Sequence, residues 1–116
     1  MAIANTRLTT TGLTTVYTSS GNNAITTIIV CNTGTVDLTD ETVRASDLDL
    51  YLVPSGGGSG TEATRIVSKL TIPAGETVFF SEERVVLSTG DSVQAQASST
   101  GAVGGLLTIT VSTLPV

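Results

Sequence analysis

Short runs of alternating apolar and polar residues, separated by clusters of Gly, Asn, Ser and Pro, recur along the whole chain. Residues 47–53 alternate most regularly. Leu48, Leu50 and Leu52 fall on one face, and Asp47, Asp49 and Tyr51 on the other, which predicts a half-buried strand. Residues 92–98 repeat the pattern with Val93, Ala95 and Ala97 directed inward, and Leu107, Ile109 and Val111 define a last strand. Residues 24–32 are apolar on both faces near their end, which predicts a central strand buried on both sides. Further strands are expected over residues 14–18, over 63–72 (carrying Ile66, Leu70 and Ile72), over 77–81 and over 85–87. Val36 and Leu38 suit either a short strand or a loop.

The punctuation between these runs has a mechanism. Ser19-Ser20-Gly21-Asn22-Asn23 and Asn32-Thr33-Gly34 are turns by residue type, because Gly and Asn accept left-handed φ. In Pro73-Ala74-Gly75-Glu76, Pro presets φ and Gly supplies a positive φ two residues later. Glu82-Glu83-Arg84 reads as a polar hairpin tip, and residues 99–105 as a Gly-rich turn. Pro54-Ser55-Gly56-Gly57-Gly58-Ser59-Gly60 has the composition of a flexible connector, too short to separate domains. The expected organisation is an N-terminal arm over residues 1–12 and a single antiparallel β-sandwich over 13–116. About eight short strands in a jelly-roll-like arrangement are expected; local pattern does not encode their order.

Composition sharpens this reading. The chain has 116 residues, enough for one domain with one core. Charged residues are only 13%, and Thr, Ser and Gly fill the difference, which suits β-structure more than helix. The net charge of −5, with five Lys and Arg in all, argues against a nucleic-acid partner. Aromatic residues at 3% also remove the stacking platforms of single-strand binders. No apolar stretch reaches the length of a membrane span, and no charged-then-apolar leader opens the chain, so synthesis into the cytosol is expected.

Candidate chemistry is sparse. There is no histidine, so a Ser-His-Asp or Cys-His device cannot be assembled, and structural or catalytic zinc is not expected. The glycine run at 56–60 lacks the Lys and Ser/Thr of a phosphate loop. Cys31, the only cysteine, lies in an apolar run and reads as a small buried hydrophobe. Asp47 and Asp49 lie on one strand face, about 7 Å apart by strand geometry, a carboxylate pair without the aromatic cleft a hydrolase would need. Asp37, Asp40, Glu41, Asp47 and Asp49 could offer oxygen to calcium but match no compact loop spacing, so a solvated acidic face is expected. No catalytic, cofactor-binding or metal residue is assigned.

Order and spacing then point to a family. The run Lys69-Leu70-Thr71-Ile72-Pro73-Ala74-Gly75-Glu76-Thr77, followed by Val85-Val86-Leu87 and Gly90-Asp91-Ser92-Val93-Gln94-Ala95-Gln96-Ala97-Ser98, resembles small virion structural proteins of tailed bacteriophages. Upstream, Thr14-Thr15-Val16-Tyr17-Thr18 before Ile28-Ile29-Val30-Cys31-Asn32-Thr33-Gly34 is similar to the opening of such proteins. The resemblance implies a non-enzymatic virion component, made in the host cytoplasm and carried on the particle in many copies. Capsid decoration or cement is the first expectation, with a neck, tail or tail-fibre role as the alternative. The implied partners are further copies of the chain and the major capsid, neck or tail proteins, with neither nucleic acid nor membrane. A carbohydrate-binding module is the other reading, and it would rest on Tyr17, Tyr51, Phe79 or Phe80.

Overall fold

A computed structural model of the chain describes residues 2–9, 11–34, 45–81, 85–98 and 107–116. The expectations for Val36 and Leu38, for the Glu82-Glu83-Arg84 tip and for the 99–105 turn lie outside those residues. All described regular elements are strands: β1 (Ala2–Arg7), β2 (Thr14–Thr18), β3 (Asn23–Asn32), β4 (Ser46–Val53), β5 (Arg65–Ile72), β6 (Thr77–Phe80), β7 (Val85–Leu87), β8 (Ser92–Ala97) and β9 (Leu107–Pro115).

The pairing is nested. β4 pairs with β5, β3 with both β6 and β7, β2 with β8, and β1 with β9, every pair antiparallel. β6 lies along Ile28–Cys31 and β7 along Asn23–Ile25, so the two are halves of one interrupted strand. Folded over on itself, this ladder yields sheet A, ordered β1-β9-β3-β6 with β7 also on β3, and sheet B, ordered β2-β8-β4-β5. This is the strand order of a jelly roll, a sandwich of two antiparallel sheets.

The core lies between the sheets. Ile28, Val30, Ile109 and Val111 of sheet A meet Leu48, Leu50, Val93 and Ala95 of sheet B, all buried. The inward alternation expected for β4 and β8 is therefore observed, although Leu52 is only partly buried. Ala95 and Ala97 carry small side chains into this interior, each almost fully buried.

Three expectations need correction. Residues 2–7, expected in a free arm, form an edge strand in continuous register with β9 from Ala2↔Thr113 to Arg7↔Thr108. Leu8 then enters the core and donates its N–H to the Leu107 carbonyl at 2.9 Å. Few charges and alternate small, partly buried residues (Ala4, Thr6) make this segment a strand, not a tail.

The 63–72 strand changes phase. Val67, Leu70 and Ile72 turn inward while Ile66 is exposed, because the register with β4 slips twice, between Leu48 and Leu50 and between Leu50 and Tyr51. At the first slip Lys69 takes φ 50°, the left-handed region, and its N–H is held by the Asp49 carboxylate at 2.8 Å.

β3, expected to be covered on both faces, is covered on one. Ile28, Val30 and Asn32 are buried, whereas Ile29 and Cys31 are half-exposed on the outer face of sheet A.

The turns are tied to one another. Glu76 N–H bonds the Pro73 carbonyl at 3.1 Å around Gly75 at φ 80°, so the glycine occupies the position needing positive φ. Asn32, fully buried, donates Nδ2 to the Ile72 carbonyl at 2.8 Å and accepts the Gly34 N–H at 2.9 Å. Its own N–H bonds the Glu76 carbonyl, which clamps the end of β3 to the β5–β6 turn. At the other end Asp91 receives the N–H groups of Ser88 and Ser55, both at 2.9 Å.

Candidate interaction surface

The two outer faces of the sandwich differ in chemistry, and the difference follows from alternation. On sheet B the outward positions are polar. Asp47 accepts the Thr71 hydroxyl at 2.7 Å, and Asp49 holds Lys69 N–H with Arg65 Nη1 at 4.0 Å. Both aspartates therefore act as pins on the irregular β5 strand. The pair considered for hydrolysis is engaged in structural contacts, and the calcium reading rested also on Asp37, Asp40 and Glu41, which lie outside the described residues.

Arg65 crosses the same face. Its guanidinium sits 5.3 Å from the Tyr51 ring centroid, donates to the Tyr51 hydroxyl at 2.9 Å and pairs with Glu62 at 2.9 Å. The hydrogen bond to Tyr51 is the main cause raising the Arg65 pKa above its ordinary value, with burial opposing and Glu62 assisting. The Arg65 Nε is buried with no hydrogen-bond partner, a cost the surrounding contacts must offset. Lys69, Gln96, Thr11 and Ser98 complete a shallow groove of about 430 Å³ beside it.

Tyr51 was expected to point outward, and it does, but it is only 3% exposed. The glycine-rich loop is solvent-exposed over residues 54–59, as expected of a connector, and its end at Gly60 lies against the Tyr51 ring. Gln94, beside Tyr51 on β8, accepts Gly60 N–H through Oε1 at 2.7 Å and donates Nε2 to the Gly58 carbonyl at 2.8 Å. A Cβ on Gly60 would lie 2.7 Å from the Tyr51 ring, so only glycine permits this approach. Loop and Arg65 together occupy the ring, leaving no open Tyr51 face for a sugar. Phe80 and Tyr17 pack against the core.

The outer face of sheet A is of another kind. The ladder registers place its outward residues in cross-strand rows. One row is Leu114, Ala24 (itself buried) and Val86; the next is Ile3, Ser112 and Thr27. A third holds Asn5, Thr110, Ile29 and Phe79, and the last holds Arg7, Thr108, Cys31 and Thr77. Arg7 is the one charged side chain among them. Ile3 is 65% exposed, and Phe79 and Val86 62% each, so large apolar groups stand open at both margins with a Thr/Ser strip between. Cys31, expected to be buried, is half-exposed on this face.

The described acidic side chains lie elsewhere: Asp47 and Asp49 on β4, Glu62 and Asp91 in loops around sheet B, and Glu76 in the β5–β6 turn. A second apolar feature, a cleft of about 440 Å³, opens between the sheets where Ile66 and Phe79 form its rim and Ile28 and Leu50 its floor.

Adjacency of Phe79 and Phe80 already required one ring to point outward. What the sequence pattern did not reveal was that Ile29, Phe79, Val86 and Leu114 share one face. Residues 24–32 carried the signal, an apolar run read as double burial, but a run of that kind also fits a strand exposing an apolar outer face. Comparison of the chain with protein-family models, with curated proteins and with solved structures found no match.

Proposed function

We propose that this protein is a non-enzymatic structural component of a tailed-bacteriophage virion, added to the capsid as a decoration or cement protein through the outer face of sheet A. The observation that carries the reading is that face: four cross-strand rows with open apolar residues at both margins and, among the described residues of those rows, a single charge, Arg7. Side chains as large as Ile3, Phe79 and Val86 standing open on one face suit a contact surface. The resemblance of residues 69–98 to virion proteins supplies the particle. The jelly roll adds support by analogy only, because the same architecture serves viral capsids and lectins alike.

The experiment is co-sedimentation of the purified chain with particles of the phage that encodes it, with Phe79→Asp as the control. Binding saturating at many copies per head, lost in Phe79→Asp, is the expected result. Saturation at a few copies that follow the tail or neck would move the protein there. No binding to any particle fraction would overturn the reading. The carbohydrate alternative has lost its best ring, since Tyr51 is covered by the Gly60 loop.

A further inference from the structure

We infer that the shallow groove on the outer face of sheet B binds an acidic sugar, a hydroxylated carboxylate of pyranose size, with Lys69 holding its carboxylate. The inference goes beyond the contact role of sheet A and does not rest on it.

The first observation is where Lys69 stands. Between Leu48↔Leu70 and Leu50↔Val67 the β5 strand carries one residue more than β4, so Ser68 and Lys69 together oppose Asp49. Lys69 sits in this bulge at φ 50°, a backbone that glycine or asparagine adopts more easily. Bulges re-aim side chains, and a left-handed residue that is not glycine points to a use for its side chain. Here the bulge sets an exposed lysine on the wall of a groove of about 430 Å³.

The second observation is charge. The Arg65 guanidinium is answered by Glu62 at 2.9 Å and by Asp49 at 4.0 Å. Among the described residues the Lys69 ammonium has no ion-pair or hydrogen-bond partner; only its backbone N–H is held. It is a mobile point charge that favours an anionic group in the groove, in a chain of net charge −5.

The third is the set of neutral and accepting groups around it. Asp49, 15% exposed, spends Oδ1 on the Lys69 N–H and Arg65, and its Oδ2 has no partner among the described residues. Gln96 donates Nε2 to the Thr11 carbonyl at 3.0 Å, which fixes the amide and leaves Oε1 open. The Ser98 hydroxyl accepts the Asp47 N–H at 2.8 Å, so its own proton is left to donate. A bare carboxylate would leave the two oxygens unused, and a neutral sugar would leave the ammonium. A ligand with one negative charge and several hydroxyls satisfies both. No open ring is required of the site, and without stacking, a single sugar is held with a Kd on the order of 1 mM.

The test is titration of the isotope-labelled chain with glucuronate at constant ionic strength, followed by amide NMR, with glucose and acetate as controls. Shifts confined to the groove, including the Gln96 side-chain amide, Asp49 and Ser98, are expected, with both controls weaker by roughly tenfold or more. Lys69→Gly removes the ammonium and relieves the left-handed backbone, so it should keep the wild-type circular dichroism and Tm while losing roughly tenfold or more in affinity. A trimer of galacturonate distinguishes the sources of the sugar. Tighter binding than the monosaccharide assigns the groove to a unit within a polysaccharide, and equal or weaker binding to the free acid; both support the inference.

Absence of shifts at concentrations well above that Kd overturns it, as do shifts scattered over the surface. Glucose or acetate binding as well as glucuronate also overturns it, as does undiminished affinity in Lys69→Gly. Because the titration uses the free chain and sheet B alone, its failure leaves the particle contact through sheet A untouched. Loss of particle binding likewise leaves the groove as it stands.

Discussion

Single side chains hold the ends of this sandwich together, and their contribution is open to measurement. Asn32 is fully buried at the end of β3, with its carboxamide satisfied on both sides by the Ile72 carbonyl and the Gly34 N–H. Removing it leaves both backbone groups without that partner at a buried site. Asn32→Ala is therefore expected to cost about 2–3 kcal/mol, read as a lower urea midpoint at unchanged m-value. An unchanged midpoint would show that water replaces the amide. Asp91 acts at the opposite end. Hydrogen bonds from Ser88 and then Ser55 N–H lower its pKa below the ordinary 3.8. A carboxylate lowered on folding stabilises above its unfolded pKa and loses that contribution as pH falls through the folded one. Thermal scans from pH 6 downward should show a falling Tm in the acid limb. Asp91→Asn should flatten the part of the fall due to this group, and an identical slope in the variant would assign the fall to other carboxylates.

At the level of elements, the outer side of sheet B shows how a segment without pattern acquires a place. Nothing in Pro54-Ser55-Gly56-Gly57-Gly58-Ser59-Gly60 announces order, yet Gln94 bonds it at two points and Gly60 lies against the Tyr51 ring. Gly60→Ala would push a methyl into that ring, at a cost of about 1–3 kcal/mol, the usual range for overpacking. Its φ lies outside the left-handed region, so the expected loss is steric and not conformational. The measurement is the Tm together with tyrosine emission, since displacement of the loop exposes Tyr51. A wild-type Tm and spectrum would mean that the loop does not rest on the ring. The strands themselves were largely legible: Thr14–Thr18 was anticipated at its observed limits, and β3, β4, β8 and β9 close to theirs. β5 was misread in phase because two register slips, one at left-handed Lys69, are invisible to a period-two count. β1 was missed as a strand because Ala2–Arg7 carries Ile3 outward and small residues inward, the reverse of the usual alternation.

For the whole molecule, the nested ladder decides what is adjacent to what. Its outermost pair, β1 with β9, joins the two ends of the described chain, and the innermost, β4 with β5, is a local connection. Deleting the first ten residues would therefore remove a core-anchored strand, so such a truncation cannot separate a role in assembly from a role in stability. Folding over this ladder also separates the chemistry by side. Polar pins and the covered Tyr51 go to sheet B, and the apolar rows to sheet A, which is why the proposed particle contact lies on one face and the sugar groove on the other. The sequence by itself determined the class of fold, the position of most strands and the scarcity of catalytic groups, because each depends on local alternation, turn chemistry and composition. Only the tertiary structure decided the strand order, the burial of Tyr51 and the assembly of Ile3, Ile29, Phe79, Val86 and Leu114 into one surface. Those residues come from five strands, and cross-strand neighbours are set by pairing between distant segments, on which local pattern is silent.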